Sequence, residues 1–353
     1  MIILYAILVL VALSSIRFLK TGEHWNAEYI SKDTTNVVKG ICIWMVFIRH
    51  ISGYMYDIPQ LNVWDKFLFD ADAYVRQLLV VPFLFYSGYG VTLAMIKKGD
   101  TYANKIPTRR VLPTLLNYDI AVFFFLIMNI ALGLELELWK TLLAFTGWES
   151  IRNSNWYIFC ILICYLISWA SYKFAGGVTK RMIIILWVGI LLYTIVLYFF
   201  KGHWWYDTVY SYGAGVIFAY HKERLENIIK KYYKLLLIGS LAGFVVFYNL
   251  PNYFSIAANI MAVFLCFLLV LFTSKVKLKN NLLAWSGSHL FPLYIYQRLP
   301  MVVLSTIYGG AFMNHHRYLY IICCFAITLL VASIYGYKYY SNVKNLVLCQ
   351  KKA

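Results

Sequence analysis

The sequence predicts an all-α fold, a polytopic bundle of helices that is integral to a membrane. Of the 353 residues, 62% are apolar and only 13% are charged, whereas a soluble protein of this length needs more charge on its surface. Apolar runs long enough to cross a bilayer also recur along the whole chain. The net charge of +17 is better explained by basic cytoplasmic loops of a membrane protein than by a nucleic-acid partner.

Eleven apolar runs are predicted to cross the membrane. The first of them has neither a basic leading region nor a small-residue cleavage site, so we expect a retained helix rather than a signal peptide. In chain order the runs occupy residues 2–19, 37–56, 78–95, 112–133, 156–174, 181–200, 207–221, 234–249, 255–274, 283–308 and 318–340.

Basic and acidic connections alternate between these runs. Acidic residues concentrate in the connections at 57–72 and 135–149. The basic connections hold Arg17, Lys20 and Lys32, then the stretches 97–110, 173–181, 222–231 and 275–279. Because basic loops stay in the cytoplasm, this alternation predicts a plasma-membrane protein with its N-terminus outside and its C-terminus inside.

The seven cysteines provide no sign of a disulfide framework or a metal site. All but Cys349 fall inside apolar runs, and no CxxC pair or Cys/His ligand spacing occurs. We therefore expect no metal cofactor.

The second run contains ionisable residues in the stretch "KGICIWMVFIRH", residues 39–50. Eleven positions separate Lys39 from His50, which on a helix is three turns plus roughly 20°, so both share one face about 16 Å apart. Arg49 lies roughly a quarter-turn away. His50 is then near mid-membrane, where ionisable groups usually line a cavity or pathway. The alternatives are that Lys39 only anchors the interface and that His50 only bridges two helices.

Other polar groups lie within apolar runs. Asp119, in "NYDIAVFFF", is a candidate to neutralise one of the three basic residues of the second run. Arg298, beside Gln297 in "LYIYQRLP", either lines a cavity or extends to the outer interface. Small residues around Ser87, in "FLFYSGYG" (83–90), are also typical of close helix packing.

Several of these stretches together resemble the acyltransferase-3 family of integral membrane acyltransferases. The stretch 39–50 resembles the start of its core, where a basic residue precedes a histidine by the same spacing. Further resemblances follow in order at "FLFYSGYG" (83–90), "RRVLP" (109–113), "NWYIFCILICYL" (155–166), "YSYGAGVIFAY" (210–220) and "WSGSHLFPLYIYQRLP" (285–300).

The resemblance implies a ten-helix acyltransferase-3-like core with one added N-terminal helix. The expected divisions are an N-terminal helix and cytoplasmic connection at 1–35, the core at 36–342 and a basic cytoplasmic tail at 343–353. Three positions depart from the family pattern. Lys39 stands where arginine is common and lacks its bidentate fork, Arg49 replaces a small or neutral residue, and Gln297 replaces a histidine.

The activity implied by the resemblance is transfer of an acyl group, usually acetyl, from cytoplasmic acetyl-CoA. The acceptor would be a hydroxyl of a bacterial surface polysaccharide or of its lipid-linked precursor. Neutral His50 would act as general base or carry the acetyl group covalently, with either Arg49 or the Ser87 and Tyr89 hydroxyls stabilising the oxyanion. The CoA phosphates would bind Lys39, Lys105, Arg109 and Arg110. The expected substrate-binding residues are Ser87, Tyr89, Asp119, Trp156, Gln297 and Arg298.

Two other classes of protein are alternatives to the enzyme. A transporter or flippase of a glycolipid or anionic solute would use Asp119, Arg49 and Arg298 as pathway residues and His50 as a proton relay. The chain shows no clear inverted repeat or paired broken helices, which such transporters often have. A membrane scaffold would leave the deep charges unexplained.

Overall fold

The computed structural model describes residues 2–19, 21–55, 63–75, 77–250 and 255–349. Asp57 of the predicted acidic connection, Lys20, and Lys351 and Lys352 of the predicted tail lie outside these ranges. The chain is 81% helical, which confirms the predicted all-α membrane bundle.

Fifteen helices and two short strands follow one another in the described ranges. The long α15 departs from helical geometry at Gly309 and His316, and α11 departs from it at Tyr232. The helices are α1 (Ile2–Ser14), α2 (Lys32–Gly53), α3 (Val63–Val75), α4 (Val81–Lys98), α5 (Asp100–Ala103), α6 (Leu112–Ala131), α7 (Leu138–Ala144), α8 (Trp156–Ala175), α9 (Lys180–Phe200), α10 (Tyr210–Tyr220), α11 (Lys222–Asn249), α12 (Ser255–Thr273), α13 (Asn281–Ser288), α14 (Leu290–Tyr296) and α15 (Arg298–Cys349), and the strands are β1 (Ile16–Phe18) and β2 (Val276–Leu278).

Eight helical segments within the described ranges are long and apolar enough to cross a membrane. They are Leu78–Lys98, Pro107–Ala131, Trp156–Ala175, Lys180–Phe200, Lys222–Asn249, Ile256–Thr273, Leu290–Gly309 and His315–Tyr335. The other three predicted crossings differ from these. Helices α1 and α10 have only 13 and 11 residues, and α2 has 22 residues but a more polar composition.

Helix α2 begins at a side-chain cap and continues without a break past the predicted site. The Ser31 hydroxyl accepts a hydrogen bond from the Thr34 amide at 3.2 Å, and Asp33 lies in the first turn. The hydroxyl satisfies one of the unpaired N–H groups at the helix start, and the negative charge of Asp33 is favourable beside the positive end of the helix dipole. Lys39 and His50 therefore lie on one continuous helix, as their spacing predicts.

One end of the bundle is marked by α3 and is here called the α3 end. The Ile2 amide donates to Asp65 Oδ1 at 3.3 Å, and Arg317 forms a 3.0 Å salt bridge with the fully buried Asp65. These contacts place the start of α1, helix α3 and the second part of α15 together. The charge alternation predicts that this end faces outward.

The opposite end is marked by the two strands and is here called the β end. Strand β1 pairs with β2 in antiparallel register, with Arg17 opposite Lys277. The Tyr29 hydroxyl donates to Glu226 at 2.9 Å. Burial and this carboxylate raise the pKa of Tyr29, so the hydroxyl remains a donor. Helix α1 and strand β1 together thus connect the α3 end to the β end.

Two pairs of glycines bring helices into backbone contact. A Cβ at Gly40 would lie 2.0 Å from the Leu283 carbonyl oxygen, and one at Gly287 would lie 1.9 Å from the Asn36 carbonyl oxygen. Only glycine permits such an approach between helix backbones. The contact between α2 and α13 is therefore reciprocal, because each helix has a glycine packed against the backbone of the other.

The stretch 83–90 packs closely in the same way. A Cβ at Gly88 would lie 2.2 Å from the Tyr212 carbonyl oxygen, and one at Gly215 would lie 2.1 Å from the Phe85 carbonyl oxygen. A Cβ at Gly90 would meet no atom within 4 Å. The small-residue packing expected for this stretch therefore occurs at Gly88, between α4 and α10.

We expect Gly88→Ala to destabilise the bundle, because its methyl group would force α4 away from α10. Overpacking of this kind costs about 1–3 kcal/mol. The measurement is the thermal midpoint of the purified protein in detergent. Gly90→Ala is the matched control, and we expect it to change stability by less than about 1 kcal/mol. Equal midpoints for the two variants would contradict the packing role.

Candidate active site

A cavity of about 750 Å³ lies at the α3 end of the bundle. It reaches the last turn of α2 and is bordered by the α7–α8 connection, the α9–α10 connection and the junction of α14 with α15. The wall combines aromatic rings with amides and hydroxyls. The residues used below are His50, Glu149, Asn153, Trp156, Lys201, Trp204, Tyr294 and Arg298.

His50 lines this cavity near the C-terminal end of α2. Its ring centroid lies 6.4 Å from that of Tyr294. Its Nδ1 is buried and has no hydrogen-bond partner within the described ranges. At this nitrogen the structure does not support a purely bridging role between helices. A buried imidazole nitrogen without a partner is uncommon in a folded protein, and a catalytic role is one explanation for it.

Arg298 begins α15 and also lines the cavity. Its Nη1 lies 3.5 Å from the Asn153 carbonyl oxygen and its Nη2 lies 3.4 Å from the Tyr54 hydroxyl. The charges of Arg298 and Arg49 both act electrostatically on His50. Arg298 therefore lies in the cavity beside the imidazole, whereas Arg49 is half-buried and is not among the lining residues.

The wall formed by residues 149–155 is shaped by side-chain amides. Asn153 Nδ2 donates to the Tyr118 hydroxyl at 2.7 Å, and Asn153 Oδ1 accepts from the Ile151 amide at 2.9 Å. Asn155 Nδ2 donates to the Gly147 and Glu149 carbonyl oxygens at 3.0 and 2.9 Å. Amide side chains commonly stabilise tight turns in this way. The loop is thus fixed before a substrate arrives.

One residue of this loop is held in a strained conformation. Arg152 has a φ of 78°, a region that non-glycine residues rarely occupy. Its Nη1 donates to Asn129 Oδ1 at 2.8 Å, and Asn129 Nδ2 donates to the Ile151 carbonyl oxygen at 3.0 Å. Helix α6 therefore holds the loop in place through Asn129, which compensates for the strain.

The part of the wall that contacts this loop contains Lys201, a paired lysine among tryptophans. Lys201 forms a 2.7 Å salt bridge with Glu149. Its ammonium also lies 4.5 Å from the Trp148 ring centroid and 4.9 Å from that of Trp205, within the range of cation–π attraction. The charge of Lys201 is therefore already engaged by this wall. Trp156 and Trp204 add further aromatic faces to the cavity.

The predicted substrate residues on α4 lie away from this cavity. Ser87 and Tyr89 are not among its lining residues. The Tyr89 ring packs 6.1 Å from that of Phe218 and lies within electrostatic reach of Glu226. Because Glu226 contacts the loop that precedes α2, Tyr89 is oriented towards the β end.

Gln297 is buried, with 1% of its surface exposed, and does not line the cavity. Its Nε2 donates to the Tyr294 carbonyl oxygen at 3.2 Å, while its Oε1 is buried and has no hydrogen-bond partner among the described residues. Gln297 thus lies directly behind a cavity residue.

The expected neutralisation of a basic residue of α2 by Asp119 is wrong for the described structure. Within the described ranges, Asp119 forms no salt bridge with Lys39, Arg49 or His50, and its Oδ1 is buried without a hydrogen-bond partner. The reason is the arrangement of helices. Helix α6 packs mainly against α8, α14 and α15, whereas α2 packs mainly against α13 and α14. The two helices are not close neighbours.

The predicted phosphate-binding residues form two groups towards the β end. Lys39 is half-buried on α2. Lys105, Arg109 and Arg110 lie in the connection before α6, which packs against α8 and α15. Arg110 is 5.8 and 5.9 Å from the ring centroids of Tyr102 and Tyr165.

The sequence reasoning missed most of the cavity wall. It did not select Glu149, Ser150, Asn153, Ser154, Asn155, Lys201, Trp204 or Tyr294. A signal was present in "SIRNSNW" (150–156), where amides cluster directly before a membrane helix. Such residues favour tight turns. Within the described ranges, no group of three or more His, Cys, Asp or Glu side chains is placed to hold a metal ion.

A multi-pass helical bundle with an imidazole in a polar cavity is the architecture of a membrane enzyme or of a membrane transporter. The comparison with family models distinguishes the two classes. The model of the acyltransferase-3 family, described as an acyltransferase domain, matches residues 34–337. The chain belongs to this family and is a membrane acyltransferase. Searches of curated proteins and of solved structures found no match. The division at residues 35 and 342 stays a prediction.

We expect the Asn153–Tyr118 hydrogen bond to stabilise the loop measurably. Asn153→Ala leaves the buried Tyr118 hydroxyl unpaired, and loss of such a partner costs about 1–3 kcal/mol. Tyr118→Phe removes the other partner. Because each single variant already breaks the bond, the two losses overlap, and the double variant loses less stability than the sum of the single variants. Thermal midpoints in detergent measure this, and strict additivity would contradict the contact.

Proposed function

We propose that the protein is an O-acetyltransferase of the cell membrane. It transfers an acetyl group from cytoplasmic acetyl-CoA to a hydroxyl of a cell-surface polysaccharide or of its lipid-linked precursor. The β end faces the donor, and the cavity at the α3 end receives the acceptor. The family supports acyl transfer, while the donor, acceptor and residue roles are the proposal.

The observation that carries the proposal is the position of His50. Its imidazole lines a polar cavity at one end of the bundle, while Lys39 lies three turns back on the same unbroken helix. CoA has its phosphates at one end and its thioester at the end of a long thin arm. With the phosphates near Lys39, the thioester is directed along α2 towards His50.

In the proposed reaction, His50 is the general base. The acceptor hydroxyl oxygen attacks the thioester carbonyl carbon while its proton passes to the imidazole. Arg49, whose charge acts on the same imidazole, stabilises the negative charge on the carbonyl oxygen. The carbon–sulfur bond then breaks, and the CoA sulfur leaves with the proton from His50. A variant passes the acetyl group through His50 as an acetyl-imidazole.

The wall of the cavity suits a carbohydrate acceptor. Trp156 and Trp204 are among the lining residues of the cavity, together with the hydroxyl side chains of Ser150 and Ser154 in the loop at 149–155. Sugar rings have apolar faces that pack on aromatic side chains and hydroxyls that hydrogen-bond to polar side chains. Because the loop is fixed by its own hydrogen bonds, little conformational entropy is lost when the acceptor binds.

We expect His50→Ala to abolish acetyl transfer while leaving the amount of protein in the membrane unchanged. General-base catalysis contributes about 10²–10⁴-fold to a rate, so kcat should fall by at least that range. The measurement uses proteoliposomes with labelled acetyl-CoA on one side and surface glycan on the other. The readout is label on the glycan together with free CoA.

Two results would overturn this assignment. Retained transfer by His50→Ala removes His50 from the mechanism. Movement of glycan or solute by the wild-type protein without acceptor-dependent CoA release favours the transporter instead. Gly90→Ala serves as a folded control that passes through the same purification, since its added methyl group meets no atom.

Lys39→Ala should mainly raise the apparent KM for acetyl-CoA. A charge-assisted hydrogen bond is worth about 1.5–3 kcal/mol, so the increase should be about tenfold or more. Lys32→Ala is the matched control, because it removes an exposed lysine from the first turn of the same helix. If the two variants have the same KM as the wild type, Lys39 is only an interfacial anchor.

A further inference from the structure

Arg298 is a charged residue of the cavity that no acidic side chain of the described residues neutralises. Its two hydrogen bonds go to neutral oxygens, the Asn153 carbonyl at 3.5 Å and the Tyr54 hydroxyl at 3.4 Å. Both distances exceed the usual 2.7–3.2 Å of N–H···O bonds. Within the described ranges, no carboxylate lies within salt-bridge distance of this guanidinium.

Glu149, the acidic side chain among the described lining residues, is already paired with a lysine. Glu149 forms its 2.7 Å salt bridge with Lys201, which is only 10% exposed. Lys201 in turn lies between the rings of Trp148 and Trp205. Glu149 and Lys201 therefore cancel each other. The described lining of the cavity keeps one surplus positive charge, which is that of Arg298.

A half-buried cation in a membrane protein is costly without a counter-ion. Arginine is well suited to bind a planar or tetrahedral anion, since its guanidinium donates two parallel hydrogen bonds to a carboxylate or phosphate. The two long contacts of Arg298 are weak enough to be exchanged for such a pair. The position beside His50 would bring the anion close to the hydroxyl that reacts.

We propose that the acceptor is an anionic glycan and that Arg298 binds its carboxylate or phosphate group next to the acetylated hydroxyl. This inference rests on the proposed function and specifies its substrate class. The aromatic faces of Trp156 and Trp204 hold the sugar ring, and the cation selects for charge. The carboxylate of a uronic acid and the phosphate of a sugar phosphate share the chemistry that Arg298 recognises.

The first experiment uses the surface glycan isolated from host cells that lack this protein, with the full-length protein in proteoliposomes and acetyl-CoA as donor. One portion of glycan is methyl-esterified, which neutralises carboxylates without adding a hydroxyl. A second portion loses its phosphate esters in cold hydrofluoric acid. We expect one treatment to raise the acceptor KM by about tenfold or more, the worth of a charge-assisted pair, and that treatment identifies the anion.

The second experiment tests Arg298 directly. Arg298→Gln should raise the KM for untreated glycan and remove the difference between untreated and neutralised glycan. Arg298→Lys should restore part of the preference, because lysine keeps the charge but not the fork. Lys140→Gln is the matched control, since it removes one cation from the exposed α7 outside this cavity and should keep the full preference.

Each outcome decides the inference. Equal acetylation of untreated and both neutralised glycans contradicts it while leaving the acetyltransferase intact. A preference for charged glycan that persists in Arg298→Gln contradicts the role of this residue. A fall in kcat on all three glycans, with the preference unchanged, assigns Arg298 to the transition state instead. If the wild-type protein acetylates no glycan, the proposed function itself fails.

Discussion

The polar helix α2 must be kept away from lipid, and the rest of the bundle is arranged around this requirement. Lys39, Arg49 and His50 are expensive to expose to hydrocarbon. Helix α13 covers one side of α2 so closely that Gly40 and Gly287 leave no room for a Cβ, while α4, α14 and α15 pack on other sides. The glycines therefore do more than tighten a contact. They allow a charged helix to be enclosed by protein along its length.

The residues before 34 lie outside the family match, yet they complete this enclosure. Helix α1 packs against α2, and the apolar groove between them is lined by Trp44 and Phe47 of α2. The helix is fixed at one end by Asp65 and at the other by the pairing of β1 with β2. Asn26 Nδ2 donates hydrogen bonds to the carbonyl oxygens of Thr273 and Val276, which precede and follow the turn into β2. The apolar side of α2 thus faces α1, and its ionisable side remains inside.

Much of the fold could be predicted, because apolar runs and their alternating charges follow directly from the physics of a bilayer. That Lys39 and His50 share one continuous helix followed from their spacing in the sequence. The wall at 149–155 could not be predicted, since its shape depends on hydrogen bonds between distant residues such as Asn153 and Tyr118. The pairing expected for Asp119 failed for the same reason. Apolar helices can be predicted from sequence, but the identity of their neighbouring helices cannot.

Under the proposed function, the acetyl group reaches the acceptor without a large movement of α2. The helix is unbroken from its cap at Ser31 to Gly53, so Lys39 and His50 stay about 16 Å apart. The long arm of CoA crosses this distance instead, whereas a transporter would have to rock its helices around a fixed site. A donor whose thioester lies nearer its phosphates would bind Lys39 without reaching His50. Donors would then be selected by the distance between their phosphates and thioester as well as by affinity. The separation of Lys39 and His50 along α2 sets the distance that a donor must match.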